Sequence, residues 1–344
     1  MSTSASSTEV PQPFPDIEPY EYGLLDVGDG NQIYWETSGN PDGKPALVVH
    51  GGPGNGGQRG SRKLFDPNVY RIVLFDQRGC GESRPTVADP AVDMAHNTTD
   101  HLIADMERLR EHLGIERWLL YGGSWGSTLI LAYAQRYPER VSAVVLVGVT
   151  MTRPEEIAWL YHGVARLLPG QWEAFRNGVP AADRDGNLVA AYNRLINSPD
   201  AAVRTKAARD WCTWEDALIA HENLGNPGQY SAKPDAAMLA MVRICTHYFT
   251  HAAWLDDGVL LREAQKLAGI PAVLIHGRLD LAAPLYTAWQ LARAWPDAEL
   301  RIIEDSGHTG SAAMRDAILE ALARFGNDHD EWSDDRMRFG GEDG

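Results

Sequence analysis

Gly122-Gly123-Ser124-Trp125-Gly126 decides how the rest of the chain is read. The short apolar run Arg117-Trp118-Leu119-Leu120-Tyr121 precedes it and predicts a buried strand; the segment from Ser127 to Arg136 follows and predicts a helix. G-x-S-x-G at a strand-to-helix junction is the sequence form of a nucleophile elbow. The turn is tight enough to call for glycine two residues either side of the serine, here Gly122 and Gly126. Such a turn lifts the Ser124 hydroxyl above the sheet and aims the N-terminus of the next helix at the reacting centre. A glycine-rich turn that merely contains a serine is the competing reading. The flanking strand and helix favour the elbow.

Working outward, further short apolar runs predict strands over 22–27, 32–36, 46–50, 70–76 and 142–147, with Gly28-Asp29-Gly30 as a hairpin turn between the first two. Residues 99–113 carry apolar side chains at helical spacing, and Gly114 ends the pattern. Strands alternating with helices imply a parallel sheet covered on both faces. The alternation stops from about Thr150 to Trp254, where helical patterns and five tryptophans (159, 172, 211, 214 and 254) replace it. It resumes with strands at 271–276 and 299–303 and a helix at 314–324. The expected fold class is therefore α/β, an α/β-hydrolase fold with a mostly parallel central sheet and an inserted helical cap. The expected division is a disordered leader over 1–15, a core over 16–149 and 255–326, a cap over 150–254 and an acidic tail over 327–344.

Composition narrows the partners. The 344 residues hold 31 Lys plus Arg against 47 Asp plus Glu, a net charge of -16, which disfavours nucleic acid and anionic membrane surfaces. No apolar run approaches the ~20 residues of a membrane span. The first fifteen residues lack the basic and apolar regions of a secretory signal. Cys80, Cys212 and Cys245 lie far apart and suggest neither a disulfide framework nor a zinc site, so reduced thiols in a cytoplasmic protein are expected.

A serine nucleophile needs a base and an orienting acid, which in this fold follow in the order Ser, Asp or Glu, His. Asp280 lies just past the penultimate strand and His308 just past the last. His308 would accept the Ser124 proton, and Asp280 would hold the imidazole tautomer and stabilise its charged form. Singly, Asp280 could cap the helix near Pro284 and His308 could be an ordinary loop histidine. Three suitable residue types after three suitable strands make that coincidence improbable. His50-Gly-Gly-Pro-Gly54 leaves backbone N–H groups unobstructed, so the Gly52 and Trp125 N–H groups are the expected oxyanion hole. The segment lacks the Lys-Ser/Thr ending of a P-loop and the G-x-G-x-x-G of a dinucleotide site.

These segments carry a resemblance. His50-Gly-Gly-Pro-Gly54, Asp76-Gln-Arg-Gly-Cys-Gly-Glu-Ser-Arg-Pro85, Gly122-Gly-Ser-Trp-Gly-Ser127, Trp211-Cys-Thr-Trp-Glu215, His247-Tyr-Phe249, His276-Gly-Arg278 with Asp280, and Ser306-Gly-His308 resemble the proline iminopeptidase (prolyl aminopeptidase) family. The resemblance runs from about Tyr20 to Phe325. It implies release of an N-terminal residue, typically proline, without metal or cofactor, from a peptide or small amide with a free amine. It also implies that Glu215 binds the substrate α-amine and that Phe249 lines the pocket. Glu215 among Trp211, Trp214 and Leu218 is an unusual place for an unpaired carboxylate, which agrees with that role. The family pattern is departed from at three places: Cys245 stands where a second carboxylate is expected, and Thr150 and Leu160 where aromatic residues are expected. Two other readings remain beside this one: a non-peptidase serine hydrolase of a small amide or ester, and a non-catalytic binding protein on the same scaffold. Ser124 argues against an epoxide or haloalkane hydrolase, which would need Asp at the elbow.

Overall fold

The apolar runs pair into one eight-stranded sheet. In the computed structural model, which describes residues 12–220 and 228–327, the strands are β1 (Glu21–Gly28), β2 (Asn31–Gly39), β3 (Lys44–Val49), β4 (Tyr70–Phe75), β5 (Trp118–Ser124), β6 (Val141–Val149), β7 (Ala272–Gly277) and β8 (Ala298–Ile303). Their order across the sheet is β1-β2-β4-β3-β5-β6-β7-β8. The first two pairings are antiparallel and the rest parallel. β3, β4, β5 and β7 read as continuous apolar runs because both faces are covered.

The helices are α1 (Thr99–His112), α2 (Trp125–Arg136), α3 (Pro154–Tyr161), α4 (Pro169–Asn177), α5 (Leu188–Ile196), α6 (Ala201–Ala220), α7 (Asp235–Thr250), α8 (Val259–Arg262), α9 (Leu285–Ala294) and α10 (Ala312–Asn327). One face of the sheet packs on α1, α2 and α9; the other packs on α10 and on Phe65. Among the described residues, only helices and turns stand between β6 and β7. They enclose their own aromatic core, in which Phe175 stacks on Tyr192 at 4.5 Å between ring centroids and Tyr161 lies 4.6 Å from Trp211. Buried Arg243 of α7 ties this unit to the core by donating to the carbonyls of Val87, Asp89, Pro90 and Val92.

Two boundaries differ from the expectation in a way that bears on the site. β5 runs through Ser124, and α2 begins at Trp125 rather than Ser127, because the strand turns into the helix within a single residue. Of the leader, residues 12–15 are described, and the Phe14 N–H donates to the Lys63 carbonyl at 2.8 Å. Residues 1–11 and the tail beyond Asn327 lie outside the described residues. No helix of the described residues is long and apolar enough to cross a membrane.

Candidate active site

Ser124 is the last residue of β5 and stands directly before α2, with φ 54° and ψ -128°. A non-glycine residue at positive φ is uncommon and marks a constrained turn. The two flanking glycines are required by the neighbouring strand rather than by the turn alone. A Cβ on Gly122 would sit 2.5 Å from the Val49 carbonyl oxygen at the end of β3, and one on Gly126 would strike the same oxygen. Ser127 then fastens the elbow: its Oγ donates to the Ser124 carbonyl at 2.6 Å, and the Thr150 N–H donates to that Oγ at 2.9 Å.

The acid and the histidine come from the loops after β7 and β8. His308 Nδ1 lies 2.8 Å from Asp280 Oδ2, and the Ala283 N–H donates to Asp280 Oδ1 at 2.7 Å. Asp280 thus caps its own loop and orients the histidine with different oxygens. Burial alone would raise the Asp280 pKa, but the charge and hydrogen bond of His308, with the Ala283 N–H, outweigh it and hold the carboxyl below its ordinary value.

Two residues to which the sequence reading attached no role fix this pair, His276 from a quoted segment and Gly148, which was not singled out. His276, fully buried at the end of β7, donates from Nε2 to the Ala283 carbonyl at 2.6 Å and accepts the Val149 N–H on Nδ1 at 3.0 Å. Its Nε2 lies 3.7 Å from Asp280 Oδ2. Burial pushes its pKa down, so the ring stays neutral and bridges β6 to the acid loop. Gly148, at φ 54°, lies against the pair: a Cβ there would be 3.3 Å from His308 Nδ1 and 3.5 Å from Asp280 Oδ2.

The glycine-rich loop after β3 abuts the elbow. A Cβ on Gly51 would lie 3.4 Å from the Ser124 Cβ, and Gly52 holds φ 120°, a conformation that L side chains rarely adopt. Gln77 clamps loop and elbow together. Its backbone N–H donates to His50 Nε2 at 3.0 Å, its side-chain amide donates to the His50 carbonyl at 2.8 Å, and its Oε1 accepts the Trp125 indole N–H at 2.9 Å. Gln77 was visible only as part of the quoted Asp76-Gln-Arg segment, with no role attached.

One cavity, about 690 Å³ with its mouth, is lined by Gly52, Ser124, Trp125 and His308 and also by Glu215, Phe249, Thr150, Leu160 and Cys245. Every pocket residue singled out in the sequence therefore reaches the same space. Glu215 of α6 accepts a hydrogen bond from the Tyr161 hydroxyl at 2.8 Å. Desolvation raises its pKa, and the Tyr161 hydrogen bond and the charge of His308 offset that only partly. The Cys245 thiol donates to the Pro53 carbonyl at 3.2 Å, and burial pushes its pKa well up, so it is neutral at pH 7. Glu156 also lines the cavity, but it is consumed by its surroundings: Oε2 accepts the N–H groups of Arg153 at 2.8 Å and Met151 at 3.1 Å, and Oε1 accepts the Thr287 hydroxyl.

The sheet order, the elbow and the aspartate–histidine pair define an α/β-hydrolase, and residues 44–311 match the family described as alpha/beta hydrolase fold. Among its relatives, the "Probable proline iminopeptidase" of Streptomyces coelicolor is 49% identical over 91% of this chain and 97% of that protein. The "Proline iminopeptidase" of Neisseria gonorrhoeae is 45% identical over 89% and 96%. Among solved structures, a proline iminopeptidase-related protein from Thermus thermophilus superposes with a TM-score of 0.55 at 25% identity, covering 89% of this chain and 98% of that one. The chain belongs to the proline iminopeptidase family and is a serine hydrolase.

Proposed function

We propose that the chain is a serine aminopeptidase that releases the N-terminal residue, typically proline, from peptides. Ser124 Oγ attacks the first carbonyl carbon of the substrate, and His308 takes its proton through Nε2 while Nδ1 is held by Asp280. The N–H groups of Gly52 and Trp125 take the negative oxygen of the tetrahedral intermediate. His308 returns the proton to the departing amine, leaving an acyl-enzyme on Ser124. Water then attacks the ester with His308 again as base, and the amino acid leaves. The same reading makes residues 150–254 the cap and 16–149 and 255–326 the catalytic core. Three buried thiols suit a reducing cytoplasm.

The observation that carries this reading is Glu215, a carboxylate on the wall of the cavity that also holds Ser124 and His308. Its burial makes the charged form costly until a cation joins it, and the substrate α-ammonium is a cation in the right place. Glu156 is occupied by backbone donors and Cys245 is neutral, so Glu215 carries amine recognition. The test is a panel of aminoacyl 4-nitroanilides, each with a free or an acetylated α-amine. Breaking one partner of a buried charge pair costs about 3–5 kcal/mol. Acetylation should therefore lower kcat/KM by roughly 10²- to 10³-fold, the lower end if water enters the cavity. Equal turnover of free and acetylated substrates would remove the aminopeptidase reading and leave hydrolysis of a small amide or ester.

A further inference from the structure

We propose that Asp29, His96 and His101 form a binding site for one zinc-like divalent cation, away from the catalytic cavity. Asp29 is at the tip of the β1–β2 turn, His96 lies in the loop before α1, and His101 is in the first turn of α1. One ligand atom from each lies within 4.8 Å of the other two, and His96 Nδ1 is 3.8 Å from Asp29 Oδ2. Two imidazoles and one carboxylate are a donor set for zinc, with water completing a tetrahedron. Zinc–ligand bonds of about 2.0–2.2 Å place the donors of a tetrahedral site about 3.4 Å apart. Closing from the present separation takes about an ångström, within reach of the exposed side chains of Asp29 and His96.

A second observation prepares His101 as a ligand. Its Nδ1 lies 2.8 Å from Thr98 Oγ1. With Nδ1–H donating to that hydroxyl, the Nε2 lone pair is left for a metal, the arrangement that orients most metal-binding histidines. Arg78 approaches Asp29 at 3.6 Å, but its firm partners are elsewhere: two 2.7 Å bonds to Asp105, with further donation to the His96 and Val27 carbonyls. Asp29 can therefore turn to a cation without leaving Arg78 uncompensated. Arg78 and the positive end of α1 both oppose a cation here, which sets the affinity in the micromolar rather than the nanomolar range.

The bound cation would staple the β1–β2 turn to the start of α1, so it should raise Tm without entering the reaction. The experiment uses tag-free full-length protein, calorimetric titration with zinc chloride, and cobalt(II) absorption as a report of coordination geometry. One site per chain is expected, with visible cobalt bands of a four-coordinate centre and a zinc-dependent rise in Tm. His96→Ala and His101→Gln should each weaken binding at least tenfold. Asp29→Asn, which tolerates the positive φ of that turn, should do the same, whereas exposed His251→Ala should change nothing. Stoichiometric binding that survives both histidine substitutions, or no zinc binding at micromolar concentrations, overturns the proposal. Zinc inhibition that persists in those variants belongs to the catalytic histidine and does not count for this site.

Discussion

Gly148 offers a test of how tightly the Asp280–His308 pair is held. An alanine there suffers twice: φ is 54°, and its Cβ would stand 3.3 Å from His308 Nδ1 and 3.4 Å from Cε1. Positive φ costs a residue with a side chain about 1–2 kcal/mol. With an unfolding entropy of roughly 2 cal/mol/K per residue, a chain of this length should lose about 1.5–3 °C in Tm. The steric part is smaller, because carbon contacts relax at about 3.6 Å, so the imidazole moves by about 0.3 Å. If a 1 Å misplacement costs about 10²-fold, that movement costs about fourfold in kcat.

Gly148→Asn separates the two effects. Asparagine accepts positive φ more readily than alanine, so its Tm should fall less. Its longer side chain presses further on the pair, so its kcat should fall more, by about thirtyfold or beyond. The assay is kcat and KM on an aminoacyl amide, the rate at which a phosphonate labels Ser124, and Tm by calorimetry. The Asn variant should be the more stable and the less active of the two. Parent-like kcat in Gly148→Asn would refute the reasoning, leaving Gly148 as a backbone requirement with no hold on His308.

Ser124→Ala should lower kcat by a factor approaching ~10⁶, and adding His308→Ala to it should cost little more, because the groups act as one unit; activity within tenfold of the parent would exclude Ser124 as nucleophile. Glu215→Gln should reduce kcat/KM on a free aminoacyl amide by roughly 10²- to 10³-fold and almost abolish the effect of acetylating the substrate, since both changes remove one interaction. Because burial raises the Glu215 pKa, free-amine turnover should fall as pH drops through that raised value, and the Gln variant should not share this limb. Burial, helped by the charge of His251, pushes His247 down to about 4, whereas an unfolded histidine titrates near 6.5. Between those values the unfolded chain binds the extra proton, so this contribution is complete above about pH 6.5 and lost as pH falls towards 4. Discounted for the partial exposure of the ring, it amounts to about 1–2 kcal/mol, and His247→Gln should flatten the corresponding part of a Tm-against-pH curve.

The sheet was legible because its central strands are buried on both faces and must be apolar throughout, which leaves unbroken runs such as Ala46–Val49 and Leu119–Tyr121. Ser124, Asp280 and His308 were legible because each follows a strand, and strand ends in such a sheet converge. What the sequence hid is contact across long separations. His276 bonds Val149, 127 positions away, and Gln77 bonds Trp125, 48 positions away. Nothing in either local pattern separates such a residue from an ordinary polar one beside a strand. Tyr161 escaped for a different reason: it lies in a short helix whose aromatic neighbours make it look like plain core, and only its hydroxyl, set on Glu215, departs from that role. The glycines of the elbow were noticed as a need of the tight turn, but the crowding by the Val49 carbonyl that adds to it was not.

The two ends of the proposed substrate are held by different parts of the molecule, and this shapes what a mutation can do. In the proposed function the carbonyl end meets Gly52, Ser124 and Trp125, where one amide side chain, Gln77, grips both the start of the glycine loop at His50 and the indole beside the serine. On that reading, removing Gln77 should loosen the proposed oxyanion donors relative to Ser124, and its effect should fall on kcat. The amine end is proposed to meet Glu215, whose position depends on α6 and on Tyr161 at the end of α3, inside a separate aromatic core. Loosening that core should move Glu215 relative to Ser124 without disturbing the Asp280–His308 pair, so on the proposed function its first effect should fall on KM and on selectivity for the free amine. Arg243 joins the two units through four carbonyls of residues 87–92, and therefore governs the registration between them. On the proposed function, a substitution there should alter which residue can span from Glu215 to Ser124, although Arg243 is not among the residues that line the cavity.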